Sequence, residues 1–244
     1  MKAGHRGRVP ASNGAPEAEN AIGLLNERPL HASLKLWYAR PGDRFEVPVE
    51  GYVVDIVRDG RLVEIQTGGF SALRPKLKAL LDGYSVRLVH PIPLEKWIVK
   101  LPRDGSGAPS RRKSPKRGRV EEVFTELVSL SRLLARPGFS LEVLLTREEE
   151  VRSYDGKRGW RRGGWVVEER RLLEVAESHV FGGPSDILSL LPDGLQSPFT
   201  TADLAEASGF RRALAQKMAY CLHRSGLVDR IGKSGRSWLY ELQS

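Results

Sequence analysis

Between Gly51 and Phe70 the chain reads GYVVDIVRDGRLVEIQTGGF. Asp59-Gly60 separates two β-branched runs, and in that setting an Asp-Gly pair marks a two-residue type I′ turn. A loop of that length sets the register: Arg58 faces Arg61, Val57 faces Leu62, Ile56 faces Val63, and Asp55 faces Glu64. Carboxylates opposed in this way have Cβ atoms only about 4.5–5.5 Å apart and repel each other. Strand alternation places Gln66 on the same face as Glu64. Such an arrangement is cheap only when a cation or a shared proton lies between the carboxylates. The hairpin is therefore expected to carry a divalent metal site.

The rest of the chain has to supply a core and a partner for that hairpin. Its 244 residues allow two or three modest units, and 40% hydrophobic residues are enough for a buried core. A formal charge of +9 points to a polyanionic partner. No apolar run approaches the roughly 18 residues of a membrane span, and the N-terminus has no signal pattern. A single cysteine excludes an internal disulfide framework and fits a reducing compartment. Cys221 falls on the apolar stripe of Leu214 and Met218, where a core thiol is expected rather than a nucleophile. The expected setting is cytoplasmic, with no membrane.

Residues 1–20 are rich in Gly, Ala, Pro and basic side chains, as in a disordered basic arm. Asn26 is a good N-cap for a helix that places Leu30, Leu34 and Trp37 on one face and Glu27 and His31 on a neighbouring one. Strand-like alternation follows from Arg44 to Val49, then the hairpin. A helix with Leu73, Leu77 and Leu80 comes next, then short strands at Val86–Pro91 and Lys96–Leu101. This order predicts an α/β (α+β) unit over 21–102 with a mixed sheet and a crossover helix. Residues 103–119 carry seven basic side chains against Asp104 among Gly, Pro and Ser, which reads as a flexible basic linker. Residues 120–183 read as a connecting or winged-helix-like α/β unit, with 165–175 either strand or helix. Residues 184–244 run helix, turn, helix, two strands, the order of a winged helix-turn-helix. Thr200 and Asp203 open its first helix as a capping box.

The pattern Asp55, Glu64, Gln66 across a hairpin, with Glu27 on the preceding helix and a basic helix after it, resembles the PD-(D/E)XK (restriction-endonuclease-like) nuclease superfamily. The resemblance covers roughly residues 20–101 and extends to uncharacterised bacterial members of that group. It implies that Glu27, Asp55 and Glu64 bind Mg²⁺ or Mn²⁺, and that Gln66 stands where the family normally has lysine. Lysine helps to activate the attacking water and to neutralise developing charge, whereas glutamine only orients it. Lys76 or Lys35 is expected to supply the missing charge, and His31 to approach a phosphate. The activity implied is Mg²⁺-dependent DNA endonuclease, and dimers that cut two strands are common in the family, so a homodimer is expected. The alternative is a non-catalytic DNA-binding protein that keeps a degenerate nuclease fold.

Each assignment has a plainer counterpart. Asp55 and Glu64 on an edge hairpin could simply face solvent, and Glu27 could complement a helix dipole. Glu46 and Glu50 either join the site or face water. Arg211, Arg212, Lys217 and Arg224 give the last helix a basic side suited to DNA, with Lys233 and Arg236 at the wing. The alternative there is an interaction module whose charges only keep it in solution. Arg161 and Arg162, beside Trp160 in a Gly-rich tip, are either a second DNA contact or a solvated hairpin end. Gly232-Lys233-Ser234 is not a phosphate loop, because the upstream Gly226 is one residue too far away and the context is helix-to-strand.

Overall fold

The structure is a computed structural model and describes residues 29–242. The expected basic arm and Glu27 lie outside the described residues. In chain order the elements are α1 (Pro29–Tyr38), β1 (Arg44–Val49), β2 (Tyr52–Arg58), β3 (Arg61–Ile65), α2 (Arg74–Leu80), β4 (Val86–Lys100), β5 (Ser110–Lys113), α3 (Phe124–Leu127), β6 (Phe139–Tyr154), β7 (Trp165–Phe181), α4 (Pro184–Leu188), α5 (Thr201–Ser208), α6 (Arg212–Arg224), β8 (Val228–Ser234) and β9 (Ser237–Leu242). The class is mixed α+β, as the element order predicts.

Seven strands form one mixed sheet in the order β1-β2-β3-β4-β6-β7, with β5 added beside β4. The turn reads as expected: Asp59 and Gly60 both have positive φ, 48° and 77°, and the pairs Arg58–Arg61, Val57–Leu62 and Ile56–Val63 are in register. From β3 the chain crosses through α2 and returns as β4, parallel to β3.

Alternation along these strands sorts the core onto two faces. Ile56, Val63, Ile65, Val89 and Leu144 meet Leu30, Leu34 and Tyr38 of α1 on one side. Tyr38 rather than Trp37 completes the α1 stripe, because i, i+4, i+8 spacing continues to 38; Trp37 is 48% exposed. Burying such a side chain stabilises by about 1.5–3 kcal/mol. Val57, Leu62, Val86 and Leu88 face the other way, onto Leu77 and Leu80 of α2 and Phe124, Leu127 and Leu130.

The two short strands expected at 86–91 and 96–101 are one strand. Pro91 and Pro93 read as a break, since proline cannot donate to a ladder. In β4, however, both have the parity of Val89, whose carbonyl accepts from Gln66 N–H on the β3 side. Their missing N–H groups therefore face the gap between the end of β3 and the start of β5, while β6 pairs with β4 along its other edge. Gly118 closes part of that gap, donating from its N–H to Pro93 O at 3.1 Å.

The segment 103–119 does not behave as a flexible linker. Residues 110–113 form β5, antiparallel to Trp97–Lys100. Three of its cations have partners far away in sequence, Arg111 with Glu149 and Lys113 and Arg117 with Glu95, while Lys116 pairs with the nearer Glu122. Residues 120–183 likewise are not a separate unit, since β6 and β7 complete the main sheet and 165–181 is a strand.

After β7 come α5, α6 and the β8–β9 hairpin. Thr200 Oγ1 accepts from Ala202 and Asp203 N–H, and Asp203 Oδ2 accepts from Thr200 N–H at 2.8 Å, which makes the expected capping box. Gly209 ends α5 at φ 67°. Met218, Cys221 and Leu222 of α6 share a core with Phe124, Leu127 and Leu130. Burial pushes the Cys221 thiol up to about 12, in keeping with a core role. Among the described residues no helix is long and apolar enough to cross a membrane.

Candidate metal and nucleic-acid site

The ladders on both sides of β2 leave Asp55 unpaired. On the β1 side the pairs run Phe45–Ile56 and then Val47–Val54, bypassing Glu46, which has φ 51°. On the β3 side pairing stops at Ile56–Val63, so the expected direct opposition of Asp55 and Glu64 is not made. The strands part there, and the Asp55 carboxylate fills the opening: its Oδ2 accepts from Ile65 N–H at 2.7 Å, in place of a ladder bond. Like charges relieve their repulsion by separating and drawing in other partners.

Those partners come from the two flanking helices. From α1, His31 Nε2 lies 3.3 Å from Asp55 Oδ2, and Lys35 pairs with Glu46, so Glu46 sits at the margin of the cluster. From α2, Lys76 Nζ lies 2.5 Å from Glu64 Oε1 and donates to Val53 O at 2.5 Å. The Lys76 contact to Glu64 is an ion pair without hydrogen-bond alignment, which leaves Glu64 Oε1 fully buried with no directed donor.

The two carboxyls respond oppositely to this environment. Burial and the nearby Asp55 charge push Glu64 up to about 7, against the opposing pull of Lys76. Burial also acts to raise Asp55, but the His31 hydrogen bond and charge, Ile65 N–H and the Lys35 charge outweigh it and hold Asp55 below the usual carboxylate range. The result is an ionised Asp55 beside a Glu64 that exchanges its proton near neutrality.

Gln66 is not part of this cluster. Its side-chain amide donates to Gly69 O at 2.9 Å, and its main-chain carbonyl accepts from His90 Nδ1 at 2.6 Å. His90 is buried against Phe70, and burial lowers its pKa to about 4, which keeps the ring neutral. Sequence reasoning missed His90 because a lone histidine in an apolar strand carries no spacing signal. Glu27, the third carboxylate expected, lies outside the described residues. Among the described residues no group of three His, Cys, Asp or Glu side chains is placed to hold a metal ion.

The basic positions farther along the chain lie on two hairpin tips and one helix. Arg211 is the N-cap of α6; Arg212 and Arg224 are exposed on it, and Lys217 is half-buried. Lys233 and Arg230 lie over the Trp238 ring, and Arg236 is in the β8–β9 turn. Arg161 and Arg162 form a turn at the β6–β7 tip, where Arg161 lies over the ring of Trp160, itself 78% exposed.

Residues 28–182 match the family described as "Domain of unknown function (DUF8091)". A protein of Treponema pallidum (strain Nichols), described as "Uncharacterized protein", is 33% identical over 221 residues, covering 90% of this chain and 86% of the relative. No solved structure matches the chain.

Proposed function

The chain belongs to the DUF8091 family, and we propose that it is a Mg²⁺-dependent nuclease that hydrolyses phosphodiester bonds at the Asp55–Glu64 cluster. The observation that carries this reading is the buried Glu64 carboxylate beside the half-buried Asp55 at the opening between β2 and β3, with Lys76 against Glu64. Hard oxygen donors of this kind suit Mg²⁺ or Mn²⁺. Asp55 and Glu64 would hold the ion, which when bound lowers the pKa of a water and neutralises phosphate charge. Lys76 supplies the cationic group that Gln66 does not, and can stabilise charge that develops on a phosphate oxygen. His31 keeps Asp55 ionised and oriented.

The winged-helix reading of 184–244 belongs to the same proposal. It is supported by the order α5, α6, β8, β9 and by the exposed cations of α6 and the hairpin. A DNA-binding protein without turnover is the second reading, favoured by the Gln66 amide being engaged with Gly69 rather than with the carboxylates.

The test is cleavage of supercoiled plasmid, linear duplex and RNA in Mg²⁺ or Mn²⁺ by the wild type, Asp55→Ala and Glu64→Ala. Metal-dependent cleavage that is lost in both variants supports the nuclease. Binding of DNA with no cleavage supports the second reading, and cleavage that survives both substitutions removes the assignment.

A further inference from the structure

A cleft of about 460 Å³ separates α2 from α6 and is floored by residues 128–136. Its walls carry Arg74 and Lys78 from α2, Arg132 and Arg136 from the floor, and Arg224 with Tyr220 from α6. Among the described residues no carboxylate lines it. Arg136 is tethered to Asp82, but Arg74, Lys78, Arg132 and Arg224 form no ion pair among the described residues, and all four are exposed.

Several cations of the main sheet, by contrast, are matched one to one. Arg58 is matched by Asp43, Arg87 by Glu142, Lys96 by Glu150 and Arg170 by Glu148. In the cleft, four cations, Arg74, Lys78, Arg132 and Arg224, face one concave surface with no acidic partner among the described residues. Like charges gathered in a cleft repel, and the concave wall concentrates their field on whatever enters. A polyanion with regularly spaced charges relieves that repulsion at several points at once.

We propose that this cleft is a track for the phosphodiester backbone of a nucleic acid, carrying the strand between α2 and α6. The placement favours a nucleic acid over an acidic protein. One wall is the helix whose Lys76 touches Glu64, and the other is the helix whose exposed arginines face away from the core. The guanidinium forks of Arg74, Arg132 and Arg224 suit phosphate oxygens. Tyr220, half out of the surface at 39% exposure, offers a ring for a sugar or base. The inference rests on the nucleic-acid reading above, but not on catalysis at Asp55.

The test is fluorescence anisotropy of the full chain with a short labelled DNA duplex and its RNA counterpart, in EDTA so that cleavage plays no part. Each phosphate contact contributes about 0.9 to the slope of log K against log salt for duplex DNA. A triple variant, Arg74→Ala with Arg132→Ala and Arg224→Ala, is expected to flatten the slope by about 2.7 and to weaken binding on the order of a hundredfold at ~0.15 M salt. A triple lysine variant at the same positions keeps the charge and is expected to retain most of the binding, which separates lost contacts from misfolding. The tighter of the two duplexes identifies the nucleic acid. If the alanine triple binds as the wild type does, with an unchanged slope, the cleft is not the track although the nucleic-acid reading stands. If the wild type binds neither duplex, or polyglutamate displaces the duplex at equal charge, both fail.

Discussion

His90 gives a pH dependence of stability that can be worked from its surroundings. The ring, in the first half of β4 and beside the C-terminal end of β3, is buried, donates to the main-chain O of Gln66 at 2.6 Å, and meets Phe70 edge-on at 4.8 Å between centroids. Burial lowers its pKa from 6.5 to about 4, so the native state holds it neutral while the unfolded chain protonates it below 6.5. Between these values the unfolded state binds more protons, and stability rises with pH. The His90 contribution is thus present above 6.5 and is lost as pH falls towards 4. Protonation costs about 1.36 kcal/mol per pH unit, so going from pH 6.5 to pH 5 removes about 2 kcal/mol. His90→Asn keeps a donor for Gln66 O but does not titrate. It loses ring packing at every pH, a constant cost of about 1–3 kcal/mol, yet it should not show the extra acid sensitivity. Urea unfolding of both proteins at pH 7 and pH 5 measures the difference, and carboxylates common to both cancel. A wild type and variant that lose the same stability between pH 7 and pH 5 would refute the reasoning.

Two further substitutions probe the elements that position the site. Lys76→Met removes the only cation within reach of Glu64 Oε1 among the described residues, which raises the Glu64 pKa further. At pH 8 it should cost about 3 kcal/mol, as expected for breaking a buried pair. At pH 5, where Glu64 accepts a proton, it should cost clearly less; equal losses in urea unfolding at the two pH values would contradict the pairing. Gly118→Ala places a Cβ 2.4 Å from Pro93 O and 2.8 Å from Ile92 Cγ2, so the loop must move away from β4. The expected loss is about 1–3 kcal/mol in the same assay, and a neutral substitution would mean that the loop does not close the β4 edge.

What the sequence revealed depended on the range of the interaction. The Asp59-Gly60 turn and three register pairs of the hairpin are local, and β-branched runs with an αL-tolerant turn specify them. The capping box at Thr200 is equally local and equally legible. Register alone, however, placed Asp55 directly opposite Glu64, whereas the structure parts the strands at that point. Local pairing rules contain no term for the repulsion or for the His31 and Ile65 donors that replace the ladder. The basic stretch 103–119 reads as a linker because its counter-charges, Glu95 and Glu149, are distant in sequence and appear only when β4 and β6 are laid beside it. The prolines of β4 are strand-compatible only because of which edge they face. Gln66 sits next to the site in sequence, but its amide turns to Gly69, whereas Lys76, ten residues later, comes back to Glu64 through the α2 crossover.

The account stands on the claim that the Asp55–Glu64 cluster takes a divalent cation, and the most direct measurement is Mn²⁺ binding followed by electron paramagnetic resonance. The wild type should show a saturable site that Mg²⁺ competes for. Asp55→Asn combined with Glu64→Gln, which keeps the volume and polarity of both side chains, should abolish it. Binding of Mn²⁺ unchanged in that double variant, or absent from the wild type, would contradict the claim.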